Sequence, residues 1–169
     1  MSTDDEGLRA RFKPKQVRLL LVGESRPVGG TFFYHGDSRL FKRSRDAFET
    51  YYGPSADESA FLERFKSLGC FLIDLCDEPV NGMSPRERRE RHVAGEGPLA
   101  AKFKAQKPKA VVVVIKRIAD SVNLAMANAK LAVPKFILPF PSQGHDREYV
   151  SGLYEVVAKL AAMKILRER

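Results

Sequence analysis

Small, polar and aromatic residues follow four short apolar runs of the sequence, and these residues are the ones that could do chemistry. The first run leads into a glycine-rich stretch, residues 23–35, which contains Glu24, Ser25 and three consecutive aromatic residues. The other three runs lead into residues 74–81, 116–117 and 139–145. A carboxylate or a hydroxyl can orient a water, and Lys116 and Arg117 can neutralise phosphates. The pattern predicts a ligand site built from loops.

The four apolar runs predict the β-strands that position these loops. They span residues 17–22, 70–75, 110–115 and 135–138, and three are rich in Val, Ile or Leu without alternation. That composition is typical of strands covered on both faces. Helical spacing and end signals predict helices between the strands: residues 38–52, a segment capped by Asp57, a segment opened by a capping box at Ser84, residues 99–106, residues 118–131 and a last helix from about Asp146.

Alternation of strands and helices predicts the fold class. Such an order gives right-handed crossovers and a parallel sheet covered by helices. We therefore expect an α/β protein, a three-layer α/β/α sandwich with a central, mainly parallel four-stranded sheet. In open parallel sheets ligands bind beyond the carboxyl ends of the strands, which is where the four loops lie.

Length and composition limit the class of protein. A chain of 169 residues suits one domain over residues 1–169, with residues 1–15 expected to be flexible. Its 44% apolar and 30% charged residues exclude a disordered chain. No apolar run approaches the ~20 residues of a membrane span, and the acidic start is unlike a signal peptide. We expect a cytoplasmic monomer with no membrane partner.

The two cysteines, Cys70 and Cys76, predict neither a disulfide nor a metal site. On one strand their Cα atoms would be ~20 Å apart, which is beyond disulfide reach. No pair of histidines lies nearby to complete a zinc site. We therefore expect two buried thiols, no metal and no cofactor.

Charge favours an anionic partner. Twenty-nine Lys and Arg against 21 Asp and Glu give a formal net charge of +8, which favours nucleic acid first and a phosphorylated small molecule second. Residues 102–117 contain six basic residues and no acidic one. Residues 86–91 contain four arginines together with Glu87 and Glu90, and we interpret them as a solvated helix face.

The glycine-rich loop is better suited to a base than to phosphates. It matches neither G-x-G-x-x-G nor the P-loop lysine pattern, and Glu24 would repel a phosphate. Aromatic residues 32–34 are suited to stacking on a planar ring, which is worth about 1–3 kcal/mol per base. We expect two of the three rings to belong to the core and one to face the cleft.

From about residue 17 to residue 160 the chain resembles the uracil-DNA glycosylase superfamily, especially its branch with an iron–sulfur cluster. In that branch the first strand leads to Gly-Glu-x-Pro-Gly and then to a Phe that stacks on uracil. Gly23-Glu24-Ser25, Pro27 and Phe33 are similar to these elements. Asp74 with Pro79-Val80-Asn81 resembles the family's second motif, and Lys107-Pro108-Lys109 resembles its approach to the third strand. Phe140-Pro141-Ser142 resembles its last motif, His-Pro-Ser.

Three departures from the family pattern are expected to matter. Two cysteines cannot supply the four thiolates of a cluster. Asp74 stands where the family has an Asn that reads uracil. An ionised Asp can only accept hydrogen bonds, so it suits a base edge with two donors. Burial could change this by protonating the carboxylate. Phe140 replaces a His that stabilises the departing base, and losing such a donor commonly costs about 10²–10³ in rate. His145 on the same loop could take over, or it could be a surface cap at the start of the last helix.

The resemblance implies roles, which we state as expectations. Glu24 or Ser25 would position the water, and His145 would complete the catalytic set. The expected base-binding residues are Gly23, Pro27, Phe33, Asp74, Asn81 and Phe140. The expected nucleic-acid contacts are Arg26, Lys116, Arg117, Pro141, Ser142, Gln143 and Gly144, with Gln143-Gly144 as a wedge that enters the duplex.

Three functions remain open on sequence. The leading hypothesis is a DNA glycosylase that flips and excises a damaged or deaminated base, with specificity altered from uracil. Asp74 and Phe140 favour a non-catalytic nucleic-acid-binding module of the same fold. The glycine-rich loop and the basic residues also allow an α/β enzyme that acts on a small nucleotide or phosphorylated metabolite.

Overall fold

A four-stranded, all-parallel sheet forms the centre of the molecule. The structure, a computed structural model, describes residues 3–168. The strands are β1 (Leu19–Gly23), β2 (Cys70–Asp74), β3 (Ala110–Val113) and β4 (Lys135–Ile137), in the order β2-β1-β3-β4. Each strand lies within a predicted run or extends it by one residue, and the predicted α/β class is confirmed.

Helices cover the sheet and complete three layers. They are α1 (Thr3–Arg11), α2 (Arg39–Tyr52), α3 (Glu58–Ser67), α4 (Pro85–Gln106), α5 (Ala119–Asn128) and α6 (Asp146–Ala162), with 3-10 turns at Phe33–His35 and Lys116–Ile118. Helix α2 packs against α6, and α4 packs against α5. No helix within residues 3–168 is long and apolar enough to cross a bilayer.

Side-chain caps start three of these helices, and two of them, at Asp57 and Ser84, were predicted from sequence. Ser38 Oγ accepts a hydrogen bond from the Phe41 N–H, and Asp57 Oδ1 accepts one from the Ala60 N–H. Ser84 and Glu87 form the reciprocal bonds of a capping box. These caps satisfy N–H groups that the helix itself cannot pair.

Helix α4 is one continuous helix, whereas the sequence predicted separate segments on either side of Gly95 to Pro98. Leu99 and Phe103 are buried beyond Pro98, so core packing keeps the second half in line despite the proline. A Cβ at Gly95 would lie 2.4 Å from the Leu75 carbonyl oxygen. Glycine therefore allows α4 to approach the end of β2 closely.

Helix α1 differs from the expectation that residues 1–15 are flexible. Phe12, just after the helix, is buried and stacks on Tyr34 with ring centroids 6.0 Å apart. Asp5 is also buried and forms ion pairs with Arg26 and His35. These long-range contacts hold residues 3–12 against the domain. Residues 1 and 2 lie outside the described part of the chain.

A tyrosine hydroxyl forms hydrogen bonds with backbone groups at the outer edge of β2. Tyr34 Oη donates to the Leu72 carbonyl at 2.9 Å and accepts from the Leu72 N–H at 2.8 Å. Both groups would otherwise be buried without a partner, because no strand among residues 3–168 lies on that side of β2. The bond fixes the 3-10 turn at Phe33–His35 to the sheet. The two cysteines on and after β2 are buried and free, as expected, and burial raises the pKa of both thiols.

Replacing Tyr34 by Phe should cost about 2 kcal/mol of unfolding free energy, because the Leu72 N–H and carbonyl lose their partner while buried. Urea denaturation followed by circular dichroism measures the change. The control is Tyr154→Phe, at a tyrosine that is 37% exposed, which should change stability by less than about 0.5 kcal/mol. Equal effects from the two variants would contradict the edge-pairing role.

Candidate functional site

Two adjoining cavities open at the carboxyl ends of the strands. The larger, about 250 Å³, has apolar walls and extends towards α2. The smaller, about 180 Å³, extends towards the end of β3. We call the two together the cleft, because both are lined by Ser25, Pro27, Leu40, Asp74 and Phe140. Its size approaches the roughly 300–1,000 Å³ of small-molecule sites.

Gly23 allows Asp74 to lie across the end of β1. The two residues are paired in the parallel register of β1 and β2. A Cβ at position 23 would be only 2.6 Å from Asp74 Oδ1, closer than a real contact allows. The absence of a side chain at Gly23 therefore lets the carboxylate reach the cleft.

Asp74 is paired with a cation from the N-terminal helix. Arg9 Nη2 donates to Asp74 Oδ2 at 2.9 Å, and the two side chains are 14% and 12% exposed. Burial raises the pKa of the Asp74 carboxyl, and the Arg9 guanidinium acts in the opposite direction. Asp74 therefore becomes protonated at a higher pH than an exposed aspartate does.

Glu24 is held by basic side chains from two further elements. His92 Nε2 of α4 lies 2.8 Å from Glu24 Oε1, and Arg117 Nε lies 3.3 Å from Oε2. Arg88, one turn before His92, lies 3.8 Å from Oε1. The Glu24 side chain is 9% exposed and lines the smaller cavity. Its carboxylate is fixed in orientation and can still accept a hydrogen bond from a water in the cleft.

Ser25 and Asn81 join the loop after β1 to the loop after β2. Ser25 Oγ accepts from the Val80 N–H at 3.2 Å, and Asn81 Oδ1 accepts from the Val28 N–H at 3.2 Å. Both side chains also line the smaller cavity, together with Pro27. Ser25 and Asn81 therefore hold the two loops together and also line the cleft.

The aromatic run is more deeply buried than expected. All three rings of residues 32–34 are buried, and Phe33 packs edge-on against Phe41 with centroids 5.5 Å apart. Phe32 and Phe33 still contribute to the wall of the larger cavity. Phe140 is half-buried and lines both cavities, so its ring is better exposed for stacking than that of Phe33.

His145 lies outside the cleft, contrary to the expectation that it could take the place of the histidine in the motif that Phe140-Pro141-Ser142 resembles. It is exposed, and its Nδ1 is 3.1 Å from Glu148 Oε2 on the outer surface of α6. The reason is the local turn: the His145 N–H donates to the Ser142 carbonyl at 3.0 Å. Gln143 and Gly144 form the exposed tip of this turn, with φ angles of 50° and 90°.

The predicted phosphate contacts have different environments. Arg26 lines the larger cavity and is paired with buried Asp5. Lys116 is exposed and lies 3.4 Å from Glu148. Arg117 is 50% exposed while it contacts Glu24. Pro141 is buried and Ser142 half-buried.

Sequence reasoning missed several residues of the site, among them Leu40 in the cavity walls and the charged or polar Asp5, Arg9, Arg88 and His92. Arg88 and His92 are four residues apart on α4, within and just after the run interpreted as a solvated face. Arg86 and Glu90 fit that interpretation, since they form an exposed pair, but Arg88 turns inward and donates to the Val80 carbonyl. The i, i+4 spacing of Arg88 and His92 indicated that both lie on one face of a helix. No nearby residue in the sequence indicated that Glu24 is their partner.

Comparisons with known proteins leave the site without a family assignment, since neither the protein-family models nor the curated proteins match this chain. Within residues 3–168, no group of three or more His, Cys, Asp or Glu side chains is arranged to hold a metal ion.

The Arg9→Met variant should lose more stability at pH 8 than at pH 4. Burial raises the folded-state pKa of Asp74 above its unfolded pKa of ~3.9. Because Asp74 must ionise in a buried place, the protein loses stability as the pH rises from the unfolded pKa to the higher folded pKa. Arg9 offsets that cost only when Asp74 is ionised. We expect the loss at pH 8 to exceed the loss at pH 4 by about 2 kcal/mol in urea denaturation.

The matched control for this measurement is Arg11→Met, on the same helix, where the side chain is 63% exposed. Its effect should be small and similar at both pH values. A loss for Arg9→Met that does not change with pH would contradict the Arg9–Asp74 coupling.

Proposed function

We propose that the cleft holds a nucleobase extruded from DNA and that the protein hydrolyses its N-glycosidic bond. The observation that carries the proposal is the placement of two carboxylates around one apolar slot. Asp74 borders both cavities, and Glu24 lines the smaller one beside it. A base in the larger cavity would thus present its sugar towards the fixed carboxylate of Glu24.

Recognition of the base would combine ring stacking with hydrogen bonds to Asp74. Pro27, Leu40 and Phe140 supply apolar contact on the cleft walls. An ionised Asp74 accepts two hydrogen bonds and suits an edge with two N–H donors, such as N1–H and N2–H of guanine. A protonated Asp74 offers one acceptor and one donor and suits uracil.

Glu24 would act at the sugar. Water adds to C1′ as the bond from C1′ to the base breaks, and the bonding electrons leave with the base. Glu24 orients this water and stabilises the positive charge that develops on the sugar. One water proton passes to solvent, and the departing base takes up a proton. Arg26 lies in the wall of the larger cavity, where the ion pair with Asp5 offsets part of its charge.

Free nucleosides or nucleotides are a second candidate substrate class. The loops that follow the four strands are nearly balanced in charge: their basic side chains are Arg26, Lys116 and Arg117, and their acidic ones are Glu24, Asp37, Asp77 and Glu78. This balance does not favour a long polyanion at the cleft. The same two carboxylates would then act on a small molecule.

Cleavage of single-lesion oligonucleotides tests the leading proposal. Labelled single- and double-stranded DNA carrying one uracil, hypoxanthine or xanthine is incubated with protein, and abasic sites are revealed by alkali. We expect excision of at least one lesion, and a fall of about 10²–10³ in its rate for Glu24→Gln. The matched controls, Glu78→Gln in the neighbouring exposed loop and His145→Ala outside the cleft, should keep the parent rate.

Other outcomes distinguish the alternatives. Release of a base from free nucleosides but from no oligonucleotide would favour the second candidate. If the protein binds lesion DNA but excises no base even at enzyme excess, the catalytic proposal is contradicted and a nucleic-acid-binding module is favoured. An unchanged rate for Glu24→Gln would remove Glu24 from the mechanism.

The pH dependence of uracil excision should reveal the protonation of Asp74. Because burial raises the pKa of this carboxyl, lowering the pH converts it to the form that matches uracil. The uracil rate of the parent relative to Asp74→Asn should therefore rise as the pH falls and level off below the folded pKa. A ratio that stays constant with pH would contradict the role of Asp74 in reading the base.

A further inference from the structure

Most of the basic excess lies at the end of the sheet opposite the cleft. We define the strand-start face as the segments that lead from helix ends into strands, residues 11–18, 67–69, 106–109 and 128–135, together with residues 162–168 after α6. Glu168 is the only acidic residue in these segments. Their basic residues are Arg11, Lys13, Lys15, Arg18, Lys107, Lys109, Lys130, Lys135, Lys164 and Arg167.

Strand pairing arranges part of this charge in a row. The Lys109 N–H donates to the Arg18 carbonyl at 3.0 Å, and the Val111 N–H donates to the Pro134 carbonyl at 3.0 Å. The starts of β1, β3 and β4 are thus side by side, at about 4.8 Å per strand. Arg18, Lys109 and Lys135 mark successive neighbouring strands along this row.

Most of these cations are exposed. The exposed side chains on the strand-start face include Lys13, Lys15, Lys107, Lys109 and Lys164. Helix carboxyl ends favour cations nearby, which accounts for residues next to α1, α4, α5 and α6. That effect falls off within a turn, so it does not account for Lys15 or Lys109, which lie next to strand starts. The strand-start face therefore carries more positive charge than the carboxyl ends of the helices account for.

We propose that the strand-start face binds the phosphate backbone of nucleic acid, without reading sequence. A row of exposed cations suits an extended polyanion. A depression of about 260 Å³ on this face is lined by the basic side chains of Lys15, Arg18 and Lys66 and the polar side chains of Gln16 and Ser67. Such groups hydrogen-bond phosphate oxygens. The depression also has one carboxylate, Glu63, which lies 3.8 Å from Arg11.

The exposed surface favours nucleic acid over an anionic membrane. Membrane-surface segments pair cations with exposed aromatic or aliphatic side chains that enter the lipid. Among the large apolar side chains exposed in the described residues, only Met163 belongs to the segments of this face. The inference is independent of the proposed function, since the cleft lies at the other end of the strands.

Fluorescence anisotropy with lesion-free DNA tests this inference. The parent and the triple variant Lys15→Gln, Lys109→Gln, Lys164→Gln are titrated against a labelled 20-base-pair duplex at several NaCl concentrations. We expect the triple variant to bind at least about tenfold more weakly and its log–log salt slope to be smaller by about 3, near 0.9 for each lost phosphate contact.

The matched control removes three exposed cations from the other parts of the surface: Lys42→Gln, Arg86→Gln, Arg147→Gln. It has the same net charge as the triple variant and should retain the parent affinity and slope. If the two triples lose binding equally, general charge rather than this face explains binding, and the proposal is overturned.

Two further measurements keep the outcome interpretable. Thermal melting confirms that each variant is folded; if the first triple is not, Lys13→Gln, Lys107→Gln, Lys130→Gln replaces it with the same expectation. Vesicles of phosphatidylserine and phosphatidylcholine are titrated in parallel. Charge-dependent vesicle binding by a protein that does not bind DNA would overturn the proposal in favour of a membrane partner.

Discussion

The parallel pairing of Gly23 with Asp74 is the constraint on which the site depends. It aligns the ends of β1 and β2, and the missing side chain at Gly23 lets the Asp74 carboxylate cross the end of its neighbour. The pairing continues beyond the strands, since the Leu75 and Cys76 N–H groups donate to the Gly23 and Glu24 carbonyls at 2.8 Å. One backbone register thus fixes two carboxylates relative to each other, and the rest of the cleft is built around them.

The basic side chains around these carboxylates come from distant parts of the chain. Arg9 of α1 contacts Asp74, and His92 of α4 and Arg117 of the turn after β3 contact Glu24. Buried ion pairs of this kind contribute little net stability, because desolvation offsets much of the attraction, but losing one partner is costly. Their effect here is to fix the geometry of the cleft. Arg9 and Arg26 also lie 5.3 and 5.1 Å from the ring centre of Phe32, which couples α1 to the aromatic wall.

Much of the fold could be predicted from the sequence because its signals are local. Unbroken Val, Ile and Leu runs indicate buried parallel strands, and Asp57 and Ser84 indicate helix starts. The loops that border the cleft follow from the rule for parallel sheets. The packing of α1 was not predictable in this way, since Asp5 finds its partner 21 residues away in Arg26.

The errors at the site have the same origin. His92 and Glu24 are 68 residues apart, and only the folded chain brings them together. His145 was placed at the cleft by its sequence neighbours, whereas the turn geometry directs it to the outer surface. The net charge of +8 was known, but its concentration at the opposite end of the sheet depends on chain topology.

The most direct test of the central claim is an NMR titration of the labelled protein with free bases. Backbone amide shifts are followed as uracil, guanine and hypoxanthine are added, above and below the pH at which Asp74 titrates. We expect saturable shifts concentrated at Gly23, Glu24, Asp74 and Phe140, with the preferred base changing as Asp74 is protonated. Shifts confined to residues away from these four, or no saturable shifts with any base, would contradict a base-binding cleft.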